Sequence, residues 1–164
     1  MEYIIRPYRQ GEEEFVAQLH KQLYTEEYSW GPDFIDYAVN IPREFAKKKK
    51  NSKEELFVAD SGGQLLGCIM LCQSEEASTG QLRLFAVEKN YRGHGIANAL
   101  INAFMDKARS AGYKKLMLWT ASPLSAAIHH YEKLGFHEVE RLENTTWHTS
   151  GDTLFEIKME MDII

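Results

Sequence analysis

Cysteine is scarce in this sequence, because only Cys68 and Cys72 among its 164 residues carry a thiol. Both lie in one apolar run that predicts a β-strand, on which Cα atoms four residues apart are separated by about 13 Å. A disulfide requires a separation below about 7 Å. The six histidines are scattered, and no Cys or His pair has the spacing of a zinc site. The sequence therefore predicts neither a disulfide-stabilised secreted fold nor a metal site.

Long hydrophobic runs and an excess of basic charge are also missing. No apolar stretch approaches the roughly 20 residues with which a helix crosses a membrane, and Met1-Glu2-Tyr3 does not begin a secretory signal. The net charge of −5 opposes non-specific binding to nucleic acid, which requires a basic surface. These absences predict a cytoplasmic protein that binds neither a membrane nor nucleic acid.

The composition gives no sign of a boundary between two domains. It has only four prolines, too few for a proline-rich linker, and it shows no internal repeat. An apolar fraction of 44% is enough to build a sizeable core. We therefore expect residues 1–164 to form a single domain.

A glycine-containing segment, Y-R-G-H-G-I-A at residues 91–97, joins a predicted strand to a predicted helix. The first N–H groups of a helix are unpaired, and the N-terminus of the helix is positive. Gly93 and Gly95 allow the backbone to approach a ligand, and Arg92 adds a positive guanidinium beside them. The segment therefore predicts a phosphate-binding loop.

Other phosphate loops fit this segment less well. The dinucleotide fingerprint G-x-G-x-x-G needs a glycine where Asn98 stands, and the nucleoside-triphosphate loop needs a Gly-Lys-Ser/Thr ending that is absent. The pattern Arg-x-x-Gly-x-Ala, formed by Arg92, Gly95 and Ala97, resembles the acyl-CoA pyrophosphate loop of the GNAT N-acetyltransferase superfamily. For this pattern alone, the competing interpretation is a glycine helix cap beside an unrelated arginine.

The remaining hydrophobic patterns predict a mixed α/β fold. Strands are expected at residues 3–6, 56–59, 64–72, 81–87, 115–119, 136–142 and 153–161, and helices at residues 12–24, 34–46, 96–111 and 123–134. Pro42 predicts a kink or a break in the second helix. Ser122 and Pro123 predict the start of the fourth helix. The predicted element order is β-α-α-β-β-β-α-β-α-β-β.

A second motif supports the same resemblance. Residues 127–136, A-I-H-H-Y-E-K-L-G-F, resemble the A-I-x-x-Y-x-x-x-G-F segment of the GNAT superfamily and follow the fifth predicted strand, as they do in that family. The element order is also that of the GNAT acyl-CoA N-acyltransferase fold, with its mixed central sheet. The resemblance covers residues 56–136 well. Residues 81–85 (Q-L-R-L-F) and 118–120 (L-W-T) are also similar to the GNAT domains sometimes fused to MarR-type regulators. The sequence is identified as a member of the GNAT superfamily.

The resemblance implies that acetyl-CoA is the acetyl donor and that transfer occurs directly in a ternary complex. Tyr131 would be the general acid that protonates the leaving CoA thiolate. The strand before the loop would bind the pantetheine arm and the thioester carbonyl through its backbone. The positions implied to bind the cofactor are Phe85, Ala86, Val87, Arg92, Gly93, His94, Gly95, Ile96 and Ala97. Leu124 stands where relatives often carry an asparagine that contacts the cofactor.

The resemblance specifies the acceptor side less fully. The residues expected to bind the acceptor are Glu26, Glu27, Trp30, Trp119 and Trp147. A solvated helix end is the alternative for the two glutamates, and burial in the core is the alternative for Trp119. Some relatives carry a glutamate base on the fourth strand, where this chain has Gln81 and Arg83. The candidates for the general base are Glu26, Glu27, Glu75, Glu76 and His148.

The predicted function is transfer of an acetyl group from acetyl-CoA to a primary amine, with a small-molecule amine as the acceptor. No acyl-enzyme is expected, because neither cysteine adjoins the motifs. The alternatives are a peptide or protein amine as the acceptor, and a non-catalytic module that binds acyl-CoA. The sequence does not fix the oligomeric state, for which a homodimer is one alternative.

Overall fold

The computed structural model describes residues 1–163, which form a seven-stranded sheet with helices on both faces. The strands are β1 (Ile4–Pro7), β2 (Glu55–Ser61), β3 (Gln64–Gln73), β4 (Thr79–Val87), β5 (Lys115–Ala121), β6 (His137–Asn144) and β7 (Leu154–Asp162). The helices are α1 (Glu13–Gln22), α2 (Pro32–Lys47), α3 (Ile96–Ser110) and α4 (Ser125–Leu134). A π-helix (Leu23–Glu27) continues α1, and a short 3-10 helix (Lys89–Tyr91) precedes α3. The predicted fold class and element order are confirmed.

The sheet opens in its middle. The strand order is β1-β2-β3-β4-β5-β7-β6, and only β4 and β5 are parallel neighbours. Their pairing covers Thr79–Gln81 against Lys115–Met117 and then stops. The two strands diverge toward their carboxyl ends, and a crevice at such ends is where open α/β sheets bind ligands.

Apolar packing on both faces of the sheet fixes the helices around this opening. Leu100 and Phe104 of α3 are fully buried in one cluster with Leu116 of β5. On the other face, Val16 of α1 is fully buried in a second cluster with Leu56 of β2. Full burial of one such side chain contributes about 1.5–3 kcal/mol. The helix ends that border the opening are therefore fixed in position by these two apolar clusters, which lie on the faces of the sheet and not in the opening itself.

Two details differ from the sequence-based expectation. α4 begins at Ser125, later than predicted, because Ser122 is hydrogen-bonded to β7 and does not cap the helix. The Ser122 N–H donates to the Phe155 carbonyl oxygen at 2.8 Å, and Ser122 Oγ accepts from the Phe155 N–H at 2.9 Å. No break occurs at Pro42, since α2 continues through it to Lys47. An internal proline removes one helical hydrogen bond, and burial of Pro42 offsets that cost.

His20 is a buried histidine on α1. Its side chain is 1% exposed, its Nδ1 lies 2.8 Å from the Val16 carbonyl oxygen, and its Nε2 has no partner within residues 1–163. Burial lowers the pKa of His20 from 6.5 to about 4, against the smaller opposing effect of the hydrogen bond to Val16. The imidazole is therefore neutral in the folded chain at pH 7.

His20 makes the stability of the fold depend on pH. Between pH 6.5 and pH 4 the unfolded chain binds a proton at His20 that the folded chain does not bind, so the free energy of unfolding falls as the pH drops through this window. We predict that His20→Leu removes this component, so that the loss of stability from pH 7 to pH 5 is smaller than in the wild type by about 2 kcal/mol. Urea denaturation at the two pH values measures it.

A matched control is His137→Gln, because His137 is exposed on β6. The control is expected to lose as much stability on acidification as the wild type. Equal losses in His20→Leu and the wild type would show that His20 does not contribute.

Candidate active site

The divergence of β4 from β5 leaves one edge of β4 without a partner strand beyond Gln81 in the described chain. Backbone N–H and C=O groups need hydrogen-bond partners, and an extended ligand binds such an edge as an additional strand. Phe85, Ala86 and Val87, the residues predicted to bind pantetheine, lie on this stretch. Their position fits the predicted role.

A β-bulge lies in the same stretch. Leu84 and Phe85 together face a single residue of β3, Ile69. Leu84 has a φ of 52°, in the left-handed region that non-glycine residues rarely adopt. Cys68 Sγ donates a hydrogen bond to the Leu84 carbonyl oxygen at 3.1 Å. Bulges bend a strand and redirect its side chains, so this one changes the direction of β4 where β5 departs.

The predicted phosphate loop forms the start of α3. Gly93 and Gly95 have φ values of 84° and 81°, and Gly95 is the N-cap of α3, which has no side-chain cap. The first N–H groups of α3 are therefore free to bind an anion. A cavity of about 230 Å³ lies at this end of the helix, and it is lined by Val87, Tyr91, Arg92, Gly93, Gly95, Ile96, Ala97, Asn98 and His130. His94 is exposed and does not line the cavity; its carbonyl oxygen accepts a hydrogen bond from Tyr3.

The side chain of Arg92 is held by two protein groups. Its Nη1 and Nη2 donate to the Glu27 carboxylate at 2.8 and 2.9 Å, and its Nε donates to the Val87 carbonyl oxygen at 3.2 Å. The hydrogen-bonded pair lowers the pKa of Glu27 and raises that of Arg92. Glu27 belongs to the π-helix, so this segment contacts the phosphate loop directly.

Tyr131 lies on α4 close to the free edge of β4. Its side chain is 7% exposed, and its ring centroid is 6.3 Å from that of Phe85. Burial, with a smaller contribution from Tyr24, raises the pKa of Tyr131 well above its ordinary value of 10. The hydroxyl therefore stays protonated at neutral pH, which a proton donor requires.

A cavity of about 500 Å³ lies between α2 and the diverging strands. This volume is within the range of small-molecule sites. The Trp30 ring stacks on Tyr24 at 5.0 Å, and the Trp147 ring lies 4.3 Å from that of Phe34. The aromatic residues of its wall are Tyr24, Trp30, Phe34, Tyr37, Trp119 and Trp147.

Two loops that are distant in sequence cover this cavity together. The Gly31 N–H donates to the Trp147 carbonyl oxygen at 2.6 Å, and the Thr149 N–H donates to the Ser29 carbonyl oxygen at 3.2 Å. Trp30 and His148 form an isolated β-bridge between the same segments. The loop before α2 and the loop between β6 and β7 therefore act as one cover.

Comparison with known proteins agrees with this geometry. Residues 14–136 match the acetyltransferase (GNAT) family. The chain belongs to this family. The prediction of the family is confirmed, and at the level of the family so is acetyl-CoA, which GNAT enzymes use as the acetyl donor.

Two curated relatives illustrate the extent of the match. This GNAT chain is 34% identical over 99 residues to N-acetyltransferase family 8 member 2 of Rattus norvegicus, covering 58% of the chain and 44% of the relative. It is 34% identical over 89 residues to N-alpha-acetyltransferase 30 of Schizosaccharomyces pombe, covering 52% of the chain and 59% of the relative. The chain spans about half the length of these relatives.

A solved structure agrees in fold. The protein yncA of Salmonella typhimurium, solved with its cofactor acetyl-CoA, superposes with a TM-score of 0.78 at 15% identity, covering 100% of this chain and 95% of that one. At this identity the likeness shows the GNAT fold alone.

The predicted acceptor residues separate into two groups. Trp30, Trp119 and Trp147 line the aromatic cavity, and Trp119 is 38% exposed, so it is not a core residue. Glu26 and Glu27 do not line this cavity. Glu26 accepts a hydrogen bond from Gln22 at 3.4 Å, and Glu27 binds Arg92 instead. The acceptor role predicted for these two glutamates is therefore not supported by their positions, because neither carboxylate reaches the aromatic cavity.

None of the sequence-based candidates for the general base lines the aromatic cavity. Glu75 and Glu76 are exposed in the turn between β3 and β4. His148 lies in the cover, where its Nδ1 is 2.7 Å from Ser150 Oγ. The cavity does contain a carboxylate that the sequence analysis did not single out, that of Glu156 on β7.

Two further residues at the site were missed. Tyr24, which the sequence analysis placed at the end of the first predicted helix, lines the aromatic cavity. His130 precedes Tyr131 in the second motif and lines the phosphate-loop cavity with a buried Nε2 that has no partner within residues 1–163. Burial lowers the pKa of His130. Its position beside the motif tyrosine was the only sequence signal.

The two cysteines are free and buried. Burial raises the pKa of Cys68 to about 12 and that of Cys72 to about 11. Both thiols are therefore protonated at neutral pH and are poor nucleophiles. The sequence analysis separated both cysteines from the motifs, whereas the fold places Cys68 against Leu84, beside the predicted carbonyl-binding residues.

Within residues 1–163, no group of three or more His, Cys, Asp or Glu side chains is placed to hold a metal ion. None of the helices in this range has both the length and the apolar character needed to cross a membrane. The single domain, the cytoplasmic location and the absence of nucleic-acid binding stay predictions.

The Arg92–Glu27 pair yields a prediction about cofactor affinity. Glu27 offsets the positive charge that Arg92 offers to a pyrophosphate, while the Val87 carbonyl oxygen also holds the arginine. We expect Glu27→Gln to lower the Kd for acetyl-CoA about two- to fivefold, since partly exposed ion pairs contribute about 0.2–1 kcal/mol. Calorimetric titration at low and high salt measures the change, which is expected to shrink as salt rises.

Glu26→Gln is the matched control, because Glu26 is the adjacent residue and contacts Gln22 rather than Arg92. Its Kd is expected to equal that of the wild type. A higher Kd in Glu27→Gln would contradict the prediction and would show that Arg92 depends on Glu27 for its orientation.

Proposed function

We propose that this GNAT domain transfers an acetyl group from acetyl-CoA to a primary amine by direct attack in a ternary complex. The observation that carries the proposal is the opening between β4 and β5, with the phosphate loop at one side and the aromatic cavity at the other. A thioester and an amine that enter from the two sides meet beside the free edge of β4.

Two regions of the chain would bind acetyl-CoA, one its pyrophosphate and the other its pantetheine arm. The N–H groups at the start of α3, with Gly93 and Gly95, hold the pyrophosphate, and Arg92 lies beside them. The free edge of β4 from Phe85 to Val87 pairs with the pantetheine arm as a neighbouring strand does. This arrangement leads the thioester toward Tyr131.

The transfer needs a stabilised oxyanion and a protonated leaving group. The amine nitrogen attacks the thioester carbon, and N–H groups on the free edge of β4 donate to the oxygen that becomes negative. The C–S bond then breaks, and Tyr131 donates its proton to the thiolate. A proton that leaves the amine nitrogen restores Tyr131. In water the donation is uphill by about 1.5 pKa units, or roughly 2 kcal/mol, and burial raises the pKa values of both groups.

Direct attack is supported by the state of the two thiols. An acyl-enzyme would need a thiolate beside the thioester, and Cys68 is the nearer cysteine. Its thiol is buried, its pKa is raised to about 12, and it is engaged by the Leu84 carbonyl oxygen. The amine itself is therefore the better nucleophile.

A peptide or protein amine is the second candidate acceptor. A larger open cleft of about 810 Å³ runs along α2 and shares Tyr37, Ile41 and Arg83 with the aromatic cavity. An acceptor longer than a small amine could continue from the cavity into this cleft. One of the relatives is an N-alpha-acetyltransferase, which agrees with this alternative.

The proposed activity is tested by thiol release from acetyl-CoA across a panel of small primary amines and of peptides with free N-termini. We expect release that depends on at least one amine, with the acetylated amine identified by mass spectrometry. Binding of acetyl-CoA without release for any amine would contradict the proposal and favour a non-catalytic module.

Gly95→Glu is the variant designed to weaken cofactor binding. It places a carboxylate in the predicted phosphate loop, where its negative charge would repel the pyrophosphate. The matched control is Gly112→Glu just beyond the other end of α3, because Gly112 has a φ of 85° and its replacement therefore introduces the same backbone strain as replacement of Gly95. We expect the Kd for acetyl-CoA to rise at least about tenfold, or 1.4 kcal/mol, in Gly95→Glu only. Equal affinity in both variants would mean that residues 91–97 do not bind phosphate.

Tyr131→Phe is expected to affect turnover and not cofactor affinity. The substitution keeps the buried ring and removes the hydroxyl, whose interaction strengthens only as thiolate charge develops. With the best amine of the panel, we predict a fall in kcat of about ten- to a thousandfold and a Kd for acetyl-CoA within about threefold of the wild type.

Tyr113→Phe is the control for removing a buried tyrosine hydroxyl. Tyr113 is 4% exposed and donates to the Lys53 carbonyl oxygen at 2.9 Å, remote from the site. It is expected to keep the wild-type kcat. An unchanged kcat in Tyr131→Phe would remove Tyr131 from the mechanism.

A further inference from the structure

The aromatic cavity contains very little charge. Among its lining residues within 1–163, only Arg83 and Glu156 carry ionised groups. Arg83 Nη2 donates to the Tyr37 hydroxyl at 3.1 Å, at the side where the cavity meets the cleft along α2. Glu156 is therefore the single carboxylate available to an amine bound in this cavity.

The strand register places Glu156 at the level of the predicted thioester site. Glu156 pairs with Ala121, the last residue of β5. Gln81 of β4 pairs with Met117 of β5. The same register continued along both strands, with the bulged residues Leu84 and Phe85 counted as one position, brings Ala86 level with Ala121. Residues directly opposite each other in an antiparallel pair share one face, and Ala121 also lines the cavity. Glu156 thus faces the cavity across the opening from the carbonyl-binding stretch of β4.

The Glu156 carboxylate is held at one oxygen. Asn144 Nδ2 donates to Glu156 Oε2 at 3.1 Å. The Oδ1 of the same asparagine accepts from the N–H groups of Thr146 and Trp147 at 2.9 and 3.1 Å, which orders the loop that carries the Trp147 wall. Within the described residues Oε1 has no hydrogen-bond donor, so it is free to accept one from a ligand.

The groups around Glu156 do not neutralise it. Besides Glu156, the titratable side chains that line the cavity are Tyr24 on the π-helix, Tyr37 on α2 and Arg83 on β4. The next pair on the same face of the β6–β7 ladder is Glu140 with Lys158, and His148 lies in the cover loop. Arg83 is engaged by Tyr37, and no ion pair joins Glu156 to any residue in 1–163. A carboxylate inside an aromatic cavity then selects a cation from solution.

We propose that Glu156 binds the ammonium group of the acceptor and accepts its proton, as the general base of the reaction. This inference rests on the proposed acetyl transfer and names the residue that makes the amine nucleophilic. The favoured acceptor is a primary amine with an apolar body that packs against the rings of Trp30, Phe34 and Trp147. An α-amino acid is disfavoured, because its carboxylate lies next to its ammonium and would meet the charge of Glu156.

The proton balance of the step is simple. One N–H bond of the ammonium breaks, an O–H bond forms at Glu156 Oε1, and the nitrogen keeps the electron pair with which it attacks the thioester carbon. In water this transfer is uphill by about 6 pKa units, or roughly 8 kcal/mol. Desolvation lowers the pKa of an ammonium, so entry of the acceptor into the aromatic cavity reduces this cost. After the transfer Glu156 returns the proton to water.

Glu156→Gln tests the proposal, because glutamine has the same shape and its amide oxygen can still accept from Asn144. With the best amine of the panel, we expect kcat/KM at pH 7 to fall at least about a hundredfold, while the Kd for acetyl-CoA stays within twofold. In the wild type, protonation of the base makes kcat/KM fall toward low pH. In Glu156→Gln we expect the part of this fall that is due to Glu156 to be absent. Partial rescue in Glu156→Asp separates basicity from packing.

Glu160→Gln is the matched control. Glu160 lies on the same strand and face as Glu156, pairs with Lys115 at 3.9 Å and does not line the cavity. It is expected to keep the wild-type kcat/KM and pH profile. Glu156→Gln with the same kcat/KM and pH profile as the wild type would overturn the proposal.

A binding measurement separates this inference from the proposed activity. Amines are titrated by calorimetry into protein saturated with CoA, which cannot react, and Glu156→Gln is expected to weaken the binding of the best amine at least about tenfold. If the wild type never releases thiol but binds amines in a way that depends on Glu156, the proposed activity and the role of Glu156 as a base are overturned. The role of Glu156 as the binding site for an ammonium group then remains supported. Amine binding equal in both proteins would overturn the ammonium site.

Discussion

The early end of the pairing between β4 and β5 is the constraint on which the rest of the structure depends. Three residues of each strand form a parallel ladder, and the strands then separate. The separation exposes backbone groups in the interior of a sheet, where they would normally be paired. It also creates the space between the phosphate loop and the aromatic cavity. The bulge at Leu84 and Phe85, stabilised by the Cys68 thiol, bends β4 at this position.

The π-helix that continues α1 links the two sides of this opening. Tyr24 at its start lines the aromatic cavity, and Glu27 at its end binds Arg92 of the phosphate loop. A π-helix adds a residue to the turn and frequently occurs at functional sites. One short segment therefore contacts the regions assigned to both ligands.

The parts of the site that the sequence predicted are those whose chemistry is local. Gly93 and Gly95 were identifiable because a helix start needs free N–H groups and left-handed backbone within a few residues, and Tyr131 lies inside a motif of ten residues. The bulge had no such signal, since a leucine at positive φ is disfavoured by its own side chain. Glu156 was hidden for a different reason. On a strand of alternating character it belongs to the polar face with Lys158 and Glu160, and nothing in that pattern distinguishes the carboxylate that lies in a cavity from the one that faces solvent.

By itself the sequence determined the family and the order of the elements, and it predicted the phosphate loop and the role of Tyr131, because apolar periodicity and short motifs act over a few residues along the chain. The boundaries of α4 and the continuity of α2 through Pro42 were decided by contacts with β7 and by burial. Only the tertiary structure placed Glu27 against Arg92 and Glu156 inside the aromatic cavity. The partner of a given carboxylate depends on long-range packing and on the position at which two strands separate. The spacing of neighbouring residues encodes neither the packing nor that position.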